Sequence, residues 1–193
     1  SKASSLDASD RKVLGSSMPT WYGGWNNTVS YKNFDLNVFF RFSGGNKIMN
    51  ASRQSALFNM DFSNNGTEIL GRWVSPEQPG DGMTPKIGYG DASSLFNDGY
   101  TDSHFVESGN YLKLSTLALG YTLPKAVVSK LNMTKIRFYV QGQNLLTITG
   151  YSGLDPQVRT DDGSGNSKDR NMGTDYGSYG MPRQFILGVN VTF

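Results

Sequence analysis

Alternation of apolar and polar positions is clearest between residues 25 and 43, where two period-two stretches meet at Lys32-Asn33. In the first arm Trp25, Val29 and Tyr31 alternate with Thr28 and Ser30; in the second Phe34, Leu36, Val38, Phe40 and Phe42 alternate with Asp35, Asn37, Phe39, Arg41 and Ser43. A two-residue turn at Lys32-Asn33 sets Tyr31 opposite Phe34 on one face and makes the two apolar sets continuous. The predicted strands are about 21–31 and 34–43. Alternation then gives way to turn chemistry at Gly44-Gly45-Asn46, Asn64-Asn65-Gly66 and Pro79-Gly80-Asp81-Gly82, so 44–110 reads as one long connection. Within it Ala51 to Phe62 and Thr67 to Trp73 are candidate short helices, free of Pro and with apolar residues at helical spacing. Strand character returns over 111–123, clearest at Leu117, Leu119, Tyr121 and Leu123, and stops at Pro124. Lys125 to Leu131 reads as one or two helical turns. A strand over 135–148 sets Ile136, Phe138 and Val140 against Arg137, Tyr139, Gln141 and Gln143. A second long loop, 149–182, leads to the most regular segment, 183–193, where Phe185, Leu187, Val189, Val191 and Phe193 interleave with Ile186, Gly188, Asn190 and Thr192.

The five strands are joined by short, long, short and long connections in turn. That order fits an antiparallel transmembrane β-barrel, with tight turns on the periplasmic side and large loops outside. About ten residues at roughly 3.3 Å each, tilted by about 40°, cover the roughly 25 Å apolar band of such a barrel. The polar faces carry Asp35, Asn37, Arg41, Arg137, Gln141 and Gln143, acceptable in a watery lumen and costly in a sandwich core. A soluble antiparallel sheet with one wet face also alternates, and stays as a rival reading.

Composition narrows the chemistry. Eighteen Lys+Arg against 16 Asp+Glu give a net charge of +2, too balanced to imply nucleic acid. Without Cys there is no disulfide frame or thiolate metal site, and the single His104, read as an ordinary loop residue, excludes motifs that need two imidazoles. No run approaches the roughly 18 apolar residues of a membrane helix. Aromatics at 12% with 23 Gly suit a β-rich chain with long polar loops.

The residues resemble the C-terminal part of SusC/RagA-type TonB-dependent outer-membrane transporters of Bacteroidetes. The likeness runs through Asp10-Arg11, Pro19 with Trp21, Tyr31-Lys32-Asn33-Phe34-Asp35-Leu36, Gly45-Asn46-Lys47-Ile48 and Arg72-Trp73. It continues through Phe105-Val106-Glu107, Leu119-Gly120-Tyr121-Thr122-Leu123-Pro124, Gln143-Asn144-Leu145, Asp155-Pro156 and Pro182-Arg183-Gln184-Phe185 to Phe193. It implies an all-β fold in which residues 1–193 are the last five strands of a barrel of about 22. The plug and TonB box are absent from this chain, which is expected to be a fragment of the whole wall. It further implies a location in the bacterial outer membrane and a role in TonB-dependent import of oligosaccharides or peptides. Its partners would be a SusD-like surface lipoprotein, TonB acting on the missing N-terminal part, the barrel-assembly machinery and outer-membrane lipid. No enzymatic activity and no cofactor are expected. A passive outer-membrane porin and a soluble β-sandwich module for glycan binding or adhesion are the alternatives.

Candidate functional residues fall into three sets. Arg41, Arg137, Tyr139, Gln141 and Gln143 face the expected lumen, where guanidinium, amide and phenol groups suit sugar hydroxyls or peptide carbonyls as well as water or a plug. Trp73, Tyr89, Tyr100, Tyr151, Tyr176 and Tyr179 lie in the outer loops, as candidates for substrate stacking or contact with a lipoprotein lid. Phe185, Leu187, Val189, Val191 and Phe193 resemble a C-terminal insertion signal. Asp161, Asp162, Asn166 and Asp169 supply hard oxygen atoms but miss the spacing of a calcium loop, so no metal site is expected.

Overall fold

Lys32-Asn33 closes the expected hairpin in the computed structural model, which describes residues 11–54, 64–84, 86, 103–157 and 172–193. Strand β1 (Trp21–Tyr31) pairs antiparallel with β2 (Phe34–Gly44), with Tyr31 opposite Phe34. Lys32 takes a left-handed φ of 54°, as the first position of a tight hairpin turn demands.

Residues divide into two compact units. The first comprises Ser1–Met18, Asn46–Ser108 and Tyr151–Tyr179; the second comprises Pro19–Gly45, Gly109–Gly150 and Gly180–Phe193. The second unit is a five-stranded antiparallel sheet. Besides β1 and β2 it contains β5 (Tyr111–Thr122), β6 (Lys135–Thr149) and β8 (Gln184–Thr192), in the order β1-β2-β5-β6-β8 with β1 and β8 at the edges. A helical turn, α1 (Lys125–Val128), and a 3-10 turn (Ser129–Leu131) join β5 to β6. Asn132, at a left-handed φ of 53°, caps the 3-10 turn.

The register lines apolar residues into rungs across the strands. Tyr31, Phe34, Tyr121, Phe138 and Val189 form one rung, and Val29, Leu36, Leu119, Val140 and Leu187 the next. One apolar face survives along the whole sheet because of a bulge. Ser115 is an extra residue between Leu114 and Thr116, where the β2 partners Phe40 and Phe39 are adjacent. The apolar positions of β5 therefore change from even (Leu112, Leu114) to odd (Leu117, Leu119, Tyr121) while staying on one face. On β6 the irregularity falls at Asn144-Leu145, with Asn144 at a left-handed φ of 53°. Leu145 then packs where a side chain on Gly142 would stand.

The first unit adds short strands to the loops and helical pieces expected there. Strands β3 (Lys47–Asn50), β4 (Val106–Ser108) and β7 (Thr174–Asp175) make a small sheet, in which β3 runs antiparallel to β4 and parallel to β7. These runs of two to four residues are too short to show a period in sequence. Ile48, Phe105 and Tyr151 are buried within this unit. Thr67–Gly71 is a 3-10 turn, and residues 51–54 are helical; the remainder of the helix expected over Ala51 to Phe62 lies outside the described residues.

Candidate functional site

The polar face of the five-stranded sheet collects the lumen candidates in cross-strand rows. Asp35, Gly120, Tyr139 and Gly188 form one row; Asn37, Ala118, Gln141 and Ile186 the next; Phe39, Thr116, Gln143 and Gln184 a third; and Arg41, Lys113 and Thr147 a fourth. Arg137 is held to the wall. Its Nε donates to Asp35 Oδ1 at 2.8 Å and its Nη2 to Oδ2 at 2.5 Å, a bidentate pair spanning β5. Gly120 makes this possible, because a Cβ there would overlap the guanidinium and the carboxylate together. The guanidinium also lies 5.2 Å from the Tyr139 ring centre, and that ring covers Gly188.

Further along the same face, Asn37 Nδ2 donates to Asn26 Oδ1 at 2.8 Å and to Thr28 Oγ1 at 2.9 Å. Arg41 is exposed, while its cross-strand neighbour Lys113 is 1% exposed. Lys113 was not singled out in the sequence, although its like-charged partner across β2 and β5 becomes evident once the register is known. The opposite face is apolar and open to its surroundings: Phe34 is 50%, Phe185 76% and Leu187 82% exposed. Phe185, Leu187, Val189 and Val191 stand opposite Gly142, Val140, Phe138 and Ile136 on that face, and Phe193 follows the strand. The usual order of burial in a soluble sheet is thus inverted.

The loop candidates separate. Tyr151 is buried and its hydroxyl donates to Asp175 Oδ2 at 2.5 Å, so it holds the small sheet together and presents no ring for stacking. Burial, with the carboxylate of Asp175 second, raises its pKa and keeps the phenol protonated. Tyr176 and Tyr179 are exposed, and Trp73 carries Lys86 Nζ 5.8 Å from its ring centre. Tyr89 and Tyr100 lie outside the described residues, as do Asp161, Asp162, Asn166 and Asp169. His104 stands edge-on to Phe105 at 4.9 Å.

Sequence reasoning missed the polar cluster that ties this unit. Glu107 accepts from the Ser152 amide at 2.7 Å and hydroxyl at 2.6 Å, and from Asn50 Nδ2 at 3.3 Å. Arg53 bridges Glu107 at 3.4 Å and Glu68 at 2.8 Å. Nearby in sequence, Asp81 accepts from the amides of Thr84 and Met83 and from the Thr84 hydroxyl, which together hold its pKa below the ordinary carboxylate value. Among the described residues no three His, Cys, Asp or Glu side chains gather as metal ligands. The arrangement offers amides, a phenol and a guanidinium to water, hydroxyls or peptide groups.

No family model matches the chain. It is 32% identical over 188 residues to TonB-dependent receptor P3 of Formosa agariphila, covering 97% of this chain and 18% of that protein. It is 23% identical over 204 residues to TonB-dependent receptor SusC of Bacteroides thetaiotaomicron, covering 97% of this chain and 16% of SusC. Among solved structures it superposes on a chain of the RagAB peptide importer in the open-open state with a TM-score of 0.72 and 23% identity, over 94% of this chain and 18% of that one. The chain therefore spans less than a fifth of the length of the relatives it matches.

Proposed function

The chain is homologous, over nearly its whole length, to a segment of SusC/RagA-type TonB-dependent receptors, and from that premise we propose that it forms part of the wall of an outer-membrane importer. The observation that carries this reading is the inverted sheet, with Leu187 82% exposed on the apolar face and Lys113 1% exposed on the polar one. An apolar band of Phe, Leu and Val belongs against hydrocarbon, while amides, Tyr139 and Arg41 belong against a watery lumen. In lipid the edges β1 and β8 need partners, so the remaining strands close the barrel.

Import is the role, without enzymatic chemistry. The cargo is a peptide or an oligosaccharide too large to diffuse through a pore, and the RagAB peptide importer supplies the analogy for a peptide. The lumenal residues Arg41, Tyr139, Gln141 and Gln143 wet the passage, and Arg137 braces it. In the loops Trp73, Tyr176 and Tyr179 lie on the outer side, where a SusD-like lipoprotein would cover the barrel. TonB acts through a plug elsewhere in the whole protein, and β8 serves as the insertion signal read by the assembly machinery.

The test is the intact mass of the native, untagged protein extracted from outer membranes in detergent, with the identity of whatever copurifies. A mass several times that of this 21.2 kDa chain with a surface lipoprotein bound is expected. A mass equal to this chain alone, soluble without detergent, overturns the reading in favour of a β-sheet binding module.

A further inference from the structure

A shallow groove of about 570 Å3 crosses the apolar face over Phe34, Leu119, Tyr121, Phe138, Val140 and Leu187. These residues belong to the rungs of Phe34 and Leu36, and on β6 and β8 the apolar pair Ile136 and Val191 stands between those rungs and the short-turn end of the sheet. Phe34 and Tyr121 meet at 4.7 Å between ring centres and form part of its wall.

The turn end beside this groove is basic. Lys32 keeps its left-handed φ of 54° where Asn or Gly would sit with less strain, and its Nζ lies 5.3 Å from the Tyr31 ring centre. The amide of Thr122 donates to the carbonyl of Asn33 at 2.8 Å, which ties this turn to the end of β5. Immediately beyond, α1 packs against β6 with Val128 buried and with Lys125, Val127, Lys130 and Leu131 exposed. From Thr122 to Lys135 the chain contains no acidic residue. Across the whole second unit eight Lys and Arg face a single acid, Asp35, which is already bonded to Arg137.

We propose that this corner of the sheet is a binding site for an anionic phospholipid, with an acyl chain in the groove and the headgroup phosphate among Lys32, Lys125 and Lys130. The proposal rests on the reading of the apolar face as lipid-facing. Charge complementarity selects the headgroup: three ammonium groups in connections that hold no Asp or Glu favour a net negative lipid over a zwitterionic one, whose own ammonium they repel. Apolar side chains alone would take either lipid equally. Lys135 shares the polar face of Arg137 and is not part of the site.

The experiment uses the full-length protein that carries this chain, purified in detergent and examined by native mass spectrometry with phosphatidylglycerol or phosphatidylethanolamine of matched acyl chains. The wild type is expected to retain phosphatidylglycerol at least about threefold better. The K32Q/K125Q/K130Q variant loses that preference, and K135Q keeps it. A wild type that does not distinguish the two lipids, or a triple variant that keeps the full preference, overturns the proposal. Heat-modifiable migration on a gel reports folding; if the triple variant does not fold, the exposed pair K125Q/K130Q carries the same test with a partial loss expected. A wild-type protein that shows no heat-modifiable barrel and needs no detergent defeats the membrane reading itself. A folded barrel without the lipid preference defeats only this site.

Discussion

Asp35 and Arg137 stand on strands that are not neighbours, yet they form a bidentate ion pair across Gly120, the residue of β5 that lies between them. Both side chains remain about a fifth to a third exposed, so screening limits the pair to about 1 kcal/mol. In a double-mutant cycle of Asp35→Asn with Arg137→Gln, urea unfolding of the full-length protein is expected to give a coupling energy of that size. Gly120→Ala should cost at least as much, since its Cβ displaces both partners, and should abolish the coupling.

Asn144 makes a second backbone prediction. Its left-handed φ favours Gly or Asn, and its Nδ2 donates to the Pro182 carbonyl at 3.1 Å. Asn144→Gly is expected to stay within about 1 kcal/mol of wild type in unfolding midpoint, while Asn144→Val loses about 1–3 kcal/mol.

The two faces of β8 differ in what they tolerate. Leu187→Lys, on the apolar face, is expected to destabilise the inserted protein by about 2–4 kcal/mol, and its neighbour Ile186→Lys, on the polar face, by much less. Unfolding in lipid vesicles measures both. Equal costs would contradict the assignment of faces.

Tyr151 gives a pH signature. Its pKa is raised above the ordinary 10.0 by burial first and by Asp175 second, so in the unfolded chain the phenol ionises at a lower pH than in the folded loops. Its contribution to stability is complete below pH 10 and falls as pH rises above it. Limited proteolysis of the loops should accelerate above pH 10 in the wild type. Tyr151→Phe, which loses the bond to Asp175, should be cut faster at neutral pH and show a weaker dependence on alkaline pH.

The strands were legible because a two-residue period over ten positions leaves little freedom. Tyr31 opposite Phe34 follows from the turn alone, and the other apolar sets follow from that register. The bulge was not legible, since Leu112 and Leu114 occupy even positions and Leu117 to Tyr121 odd ones, and only a neighbour with fixed register shows that an extra residue reconciles them. Arg137 was read as a candidate for substrate, water or a plug, and its pairing with Asp35 was not foreseen because it depends on the missing side chain at 120, which no local pattern of charge reveals. Tyr151 looked like its fellow loop aromatics because burial by β3 and β7 comes from pairings far apart in sequence.

That small loop sheet also has a bearing on the order of folding. Ser52 accepts from the Gly177 amide, 125 residues away, beside the parallel pairing of Met49 with Thr174. Every strand from β5 to β6 is made between those two segments. Hairpins such as β1 and β2 close locally and early, whereas a contact of this span carries a larger loop-closure entropy and forms late. The loop sheet is therefore expected to lock after the five-stranded sheet has paired, so that a protease present during folding meets open loops first and resistant ones only at the end.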